Sequence, residues 1–160
     1  MGVDYRLQIE TSLTPRQVFE IPARVANAEI KTHIVEDRED YTLRVSSVWA
    51  VAVSAEIYGD IWRKLVIEAY NFVPTVNITF EYYPLEDAEA WKRIISQSFA
   101  SILKEVPGKA YALYNGEITV VERLDERCLV TNDPQYDWLA KGFDEVGMKY
   151  ERRALESPLL

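Results

Sequence analysis

A single histidine, His33, and a single cysteine, Cys128, bound the chemistry open to this chain. A Ser-His-Asp or Cys-His arrangement, or a His-rich zinc site, would have to use His33, and one imidazole cannot supply a cluster. His33 falls in a segment with the pattern of a strand, with Lys31 and Val35 on its own face, which favours a solvent-facing strand histidine over a catalytic one. Cys128 has no Cys-x-x-Cys partner and adjoins Leu129 and Val130, a setting in which cysteine acts as a small buried hydrophobe. Gly108-Lys109 would close a phosphate-binding loop only with glycine in place of Leu103 and Ser or Thr in place of Ala110. With 6 glycines the chain has no GxGxxG fingerprint, and it has no DxDxDG calcium loop. No cofactor and no metal are expected, and the chain does not read as an enzyme.

Carboxylates are the remaining reactive groups. Glu36, Asp37, Glu39 and Asp40, or Glu86, Asp87 and Glu89, could act as acid and base or hold magnesium. The first group occupies a turn and the second a helix start, where acidic side chains are normally solvated. A partner-facing patch ranks next and catalysis last. Glu36, Asp37, Glu39 and Asp40, relieved only by Arg38, are therefore the candidate partner-binding residues. Trp49, Tyr58, Trp62, Tyr70, Phe72, Tyr82, Tyr83, Trp91, Tyr136 and Trp138 exceed what one small core needs. Either the core is unusually aromatic or some of these rings serve a binding surface, for a protein or, alternatively, as a small ligand-binding module.

The elements that must position these residues fit one domain, 1–160, long enough to bury a core without staples. Eighteen basic against twenty-six acidic residues give a net charge of −8, which disfavours nucleic acid and anionic membranes and favours a basic protein partner. One cysteine forms no internal disulfide, and no leader or membrane-spanning apolar run is evident, so a cytoplasmic protein is expected.

The strongest local signals lie between Leu85 and Leu124. Trp91, Ile95, Ser98, Phe99, Ile102 and Val106 recur at helical spacing, with Arg93, Gln97, Ser101 and Lys104 opposite, which predicts a helix from Glu86 to Val106 stopped by Pro107-Gly108. Asn115-Gly116 predicts a two-residue hairpin turn, with Tyr114 opposite Glu117, Tyr111 opposite Val120 and Lys109 opposite Glu122. In that register Tyr111, Leu113, Ile118 and Val120 share the face laid against the helix. Elsewhere, alternation predicts strands at Val3 to Ile9, Ala28 to Val35 and Thr75 to Tyr83, and a β-rich stretch from Tyr41 to Ser54 with Ser46-Ser47 as a bulge or break. Thr14-Pro15 starts a short helix ending at Pro22, and Gly59 to Phe72 favours helix over strand. Cys128 to Thr131 reads as a short strand, Asp133-Pro134 starts a helix stopped by Gly147, and Met148 to Arg152 reads as a last strand. The class is α+β: a mainly antiparallel sheet with one long helix and shorter helices packed on it.

Three segments, MGVDYRLQIETSLTPRQV, VNITFEYY and ALYNGEITVVER, together resemble the SitI family, immunity proteins of bacterial swarm-inhibition toxins. The resemblance covers the first 18 residues and most of Thr75 to Arg123, and thins between Val25 and Phe72 and after Leu129. It implies a cytoplasmic protein that binds and neutralises a cognate toxin without catalysis. It carries over no catalytic residue and no defined contact position, so Tyr111 to Val120 transfers as scaffold only.

Overall fold

A computed structural model of the chain describes residues 3–83 and 87–159. The elements run β1 (Val3–Ile9), α1 (Pro15–Ala26), β2 (Lys31–Val35), β3 (Arg38–Val45), β4 (Val48–Ser54), α2 (Gly59–Tyr70), β5 (Val76–Tyr82), α3 (Ala88–Glu105), β6 (Ala110–Tyr114), β7 (Ile118–Arg123), β8 (Leu129–Thr131), α4 (Asp137–Val146) and β9 (Glu151–Arg153). All strands join one sheet in the order β2-β3-β4-β5-β1-β6-β7-β8-β9. Every pairing is antiparallel except β8 with β9. The fold is α+β, with the mainly antiparallel sheet that the patterning predicts.

Strand alternation sorts residues between two unlike faces. Tyr5, Leu7 and Ile9 of β1, Ile78 and Phe80 of β5, and Ala50 and Ala52 of β4 join one core with the buried sides of α1, α3 and α4. The opposite face carries Gln8, Asn77 and Thr79 at its centre, and α2 lies over it through Val66 and Tyr70, against Tyr111 and Leu113.

α3 lies between α1 and α4 on the first face. Trp91, Ile95, Phe99 and Ile102 are buried as predicted, but so are Ser96 and Ser101, because neighbours flank the helix on both sides. Asp87 caps it, its Oδ1 accepting from the Ala90 N–H at 3.3 Å. Glu86, the predicted first residue, lies outside the described residues. At the other end the buried Arg123 of β7 donates from Nε to the Gly108 carbonyl at 2.9 Å, from one terminal nitrogen to the Val106 carbonyl at 2.6 Å, and from the other to the Leu103 carbonyl. The Leu103 and Val106 carbonyls are ones that the helix end leaves without an internal partner, and Gly108 belongs to the loop that follows, so the cation both satisfies them and meets the negative end of the dipole.

The hairpin departs from the expected register. The Asn115-Gly116 turn forms, with φ of 51° and 76°, and Glu117 N–H bonds the Tyr114 carbonyl at 3.2 Å. The ladder then resumes with Tyr114 opposite Ile118, and a bulge leaves Val120 unpaired between Thr119 and Val121. Val120 and Val121 both join the helix-side core, whereas Tyr111 and Leu113 face α2. Tyr111, not Lys109, stands opposite Glu122, and Lys109 Nζ donates to the Asn71 carbonyl at 3.1 Å. Turn chemistry alone does not report a bulge four residues away.

Other boundaries move for local reasons. α1 passes through Pro22 to Ala26, because Pro22 lies on the buried side with Val18, Phe19 and Ala23, and that packing offsets one lost hydrogen bond. Asn27 then turns left-handed, and β2 begins at Lys31 rather than Ala28. Ser46-Ser47 is a two-residue hairpin loop between β3 and β4, with Val45 opposite Val48. Gly142 sits inside α4 because a Cβ there would fall 2.3 Å from the Cβ of Ser96, so the two helices could not approach as they do.

Arg123→Met should leave helix-end carbonyls unpaired and cost about 2–4 kcal/mol in urea melts. A change within 0.5 kcal/mol, on the order of an ordinary surface substitution, would remove the clasp from the account. Burial, with Glu156 and Asp125 nearby, pushes the Glu122 carboxyl above its ordinary range. A raised carboxyl pKa means that ionisation costs more in the native than in the unfolded state. Glu122→Gln should therefore be the more stable protein at neutral pH, and the gap should close as pH falls below about 4, where both states are protonated.

Candidate partner-binding surface

The acidic stretch predicted as one turn resolves into a two-residue loop, Glu36-Asp37, joining β2 to β3, with Val35 opposite Arg38. Both loop residues have positive φ, 47° and 67°, as a type I′ hairpin requires. Arg38, Glu39 and Asp40 belong to β3, so their side chains alternate between faces. On the α2 side, Arg38 Nε donates to Asp40 Oδ1 at 3.0 Å and a terminal nitrogen to Oδ2 at 3.3 Å, a bidentate pair that neutralises Asp40. On the helix side, Glu39 accepts from the Tyr41 hydroxyl. Of the four candidates, Glu36 and Asp37 stand together at the exposed tip, while Glu39 and Asp40 are directed to opposite sides of the sheet. The second acidic group is divided too: Asp87 caps α3, Glu89 is exposed, and Glu86 is outside the described residues.

His33 is exposed in β2, its Nε2 2.8 Å from Thr42 Oγ1, with no nucleophile in that contact besides an ordinary threonine hydroxyl. Cys128 is buried, and burial pushes its thiol up to about 11, away from the thiolate a nucleophile needs. Among the described residues no group of three or more His, Cys, Asp or Glu side chains could hold a metal ion.

The aromatics divide between the two alternatives. Tyr82 stacks on Trp91 with centroids 3.8 Å apart, Trp138 meets Trp91 edge-on at 5.3 Å, and Tyr70 stacks on Tyr111 at 4.2 Å, so these rings build the core. Trp49 and Tyr83 are 42% and 55% exposed. Trp49 lies on the α2 side of β4, beyond the reach of α2, where it lines a groove of about 620 Å³ with Val35, His33, Thr42 and Val51. The available signal was its alternation with the core residues Val48 and Ala50.

A second feature lies on α2. Ile61 and Leu65 fall at helical spacing, yet they are 82% and 50% exposed, while Val66 and Tyr70 are buried. The seam beneath explains the choice. Tyr70 and Thr119 hydroxyls meet at 2.7 Å, Tyr111 donates to Gln8, and Gln8 Nε2 donates to Asn77 Oδ1 at 2.7 Å, so the covered surface asks for an aromatic with a polar tip rather than for isoleucine.

One end of the sheet thus carries the acidic hairpin, the Trp49 groove and strands that α2 leaves open. A family model described as SitI3-like matches residues 3–141. The chain belongs to the SitI3-like family. No curated protein and no solved structure matches it. The SitI3-like span takes in β2, β3, β4 and α2, the region where the resemblance by motif is thin, and so it includes the whole of this surface.

Glu36 and Asp37 occupy a conformation in which the same chain elsewhere places Asn-Gly, and side chains with a Cβ are strained there. Replacing them together, Glu36→Asn with Asp37→Gly, should stabilise the protein by about 1 kcal/mol, seen as a melting temperature about 2–4 °C higher. A lower melting temperature would show that the acidic pair is held by contacts rather than tolerated.

Proposed function

We propose that this protein is a non-catalytic immunity protein that binds and neutralises a cognate bacterial toxin in the cytoplasm of the cell that makes it. Membership of the SitI3-like family over residues 3–141 carries this reading. The structure agrees with it in kind: the reactive side chains are dispersed or buried, whereas one end of the sheet offers exposed aromatic and acidic groups. Among the described residues no helix is long and apolar enough to cross a membrane. A net charge of −8 suits a basic toxin. The Trp49 groove supports a second reading, a site for a small ligand, which would be met by a gain in thermal stability with a small molecule and none with protein.

The decisive experiment is expression of this chain beside the product of the open reading frame adjoining its own. Protection of growth, and a rise in melting temperature that depends on that protein's concentration, would support immunity; toxicity unaffected by the chain would sink it.

Glu36, Asp37, Glu39 and Asp40 are proposed as the steering group, with Glu36 and Asp37 the principal members because Arg38 already holds Asp40. Exposed charges act mainly on the rate of encounter. Replacing the four by Gln and Asn should slow association with that protein several-fold at low salt and leave dissociation nearly unchanged. The difference should shrink near 0.15 M salt, where the Debye length is about 8 Å. Equal association rates at low salt would take this hairpin out of the approach.

A further inference from the structure

The two edges of the sheet are treated differently. β9 closes one end with Glu151-Arg152-Arg153, a short, charged strand of the kind that resists further pairing. β2 closes the other with Lys31-Thr32-His33-Ile34-Val35, five residues with no proline and no bulge, and with Ile34 80% exposed. Lys31, at the first position, is the one charged residue on it. An edge rich in β-branched residues and left open is a template for another strand.

The hairpin defines which groups are free. In a two-residue hairpin the residues flanking the turn form a hydrogen-bonded pair, and such pairs then alternate along the ladder. Val35 with Arg38, His33 with Asp40 and Lys31 with Thr42 therefore use the main-chain groups that face β3. The N–H and C=O of Thr32 and Ile34 face outward.

Charge selects the occupant. Glu36 and Asp37 project at one end of the edge, Glu39 stands opposite Ile34, and Glu29 precedes the strand; Arg38 is engaged with Asp40, and Arg16, which donates to Thr32 Oγ1 at 3.4 Å, is accompanied by Glu20 at 3.9 Å. An incoming strand with lysine or arginine at alternate positions meets acids there. A second copy does not fit as well, because antiparallel pairing of Thr32 with Ile34 of the other chain would put Asp37 opposite the other Glu29, between two chains each carrying −8.

We propose that β2 accepts an extended, basic segment of the protein partner as a tenth strand, held by the main chain of Thr32 and Ile34 and by an apolar residue laid over Ile34. This rests on the immunity reading and specifies how the partner is held.

The probe is the product of the adjoining reading frame. Ile34→Pro removes one outward N–H and leaves the β3 ladder intact, since the Ile34 N–H takes no part in it and proline is tolerated at such edge positions. The variant should melt within about 2–4 °C of the parent, the effect of roughly 1 kcal/mol, and lose at least about tenfold in affinity. Hydrogen exchange on the unsubstituted complex should show the Thr32 and Ile34 amides slowed on binding, a readout that holds even if Ile34→Pro folds poorly. If the parent binds and both tests are negative, strand addition is wrong and immunity stands. If the parent does not bind at all, the immunity reading falls and strand addition falls with it. Sedimentation showing a parent dimer that Ile34→Pro dissolves would assign the edge to a second copy and overturn the proposal.

Discussion

A helix that is apolar on one side and carries serines on its flanks can be buried on all but one side only when neighbours close on both flanks, and α3 is held that way between α1 and α4, with Arg93 and Lys104 left exposed. Phe99 and Ile95 face the sheet, while Ser96 and Ser101 are small enough for the flanking helices to come close, most closely where Gly142 of α4 meets Ser96. Once α3 is enclosed, its C-terminal carbonyls cannot all reach water. Arg123 resolves that cost by bringing a cation from β7, and in doing so ties the helix to the far half of the sheet. The layer of three helices and the central strands thereby become a single unit.

Helices on one face leave the other face to a single short helix. α2 covers the middle of the sheet and is held over a polar seam, with Ile61 and Leu65 turned to solvent, so the protein carries more exposed apolar surface on this side than its fold requires. On this face Trp49 stays 42% exposed, and β2 is exposed along its whole length. Burial is concentrated around α3 and exposure around β2.

Patterns with a short physical range were legible in the chain. The cap at Thr14, the Asn115-Gly116 turn, the alternation of β1 and β5 and the apolar stripe of α3 each depend on residues within one or two turns of each other. The acidic hairpin was legible too, as a turn, because charge clusters and strand flanks are local. The bulge at Val120 was not, since it answers to the need to place Tyr111 against α2 and Val121 against the helices at once. Nor was the orientation of α2: the region read as helix over strand, and the polar groups beneath it, Gln8, Asn77 and Thr119, come from distant strands.

The sequence by itself determined the α+β class, the single dominant helix, a composition of one histidine and one cysteine that cannot form a His- or Cys-based cluster, and the net acidic balance. Tertiary structure decided which acids stand at the tip and which are neutralised, that Trp49 lines an open groove, and that β2 rather than a guarded strand ends the sheet. The reason is the range of the forces involved. Capping, turn geometry and periodicity act over a few residues, whereas strand order and ring exposure depend on which distant segments win the space beside them, and only the packed chain settles that competition.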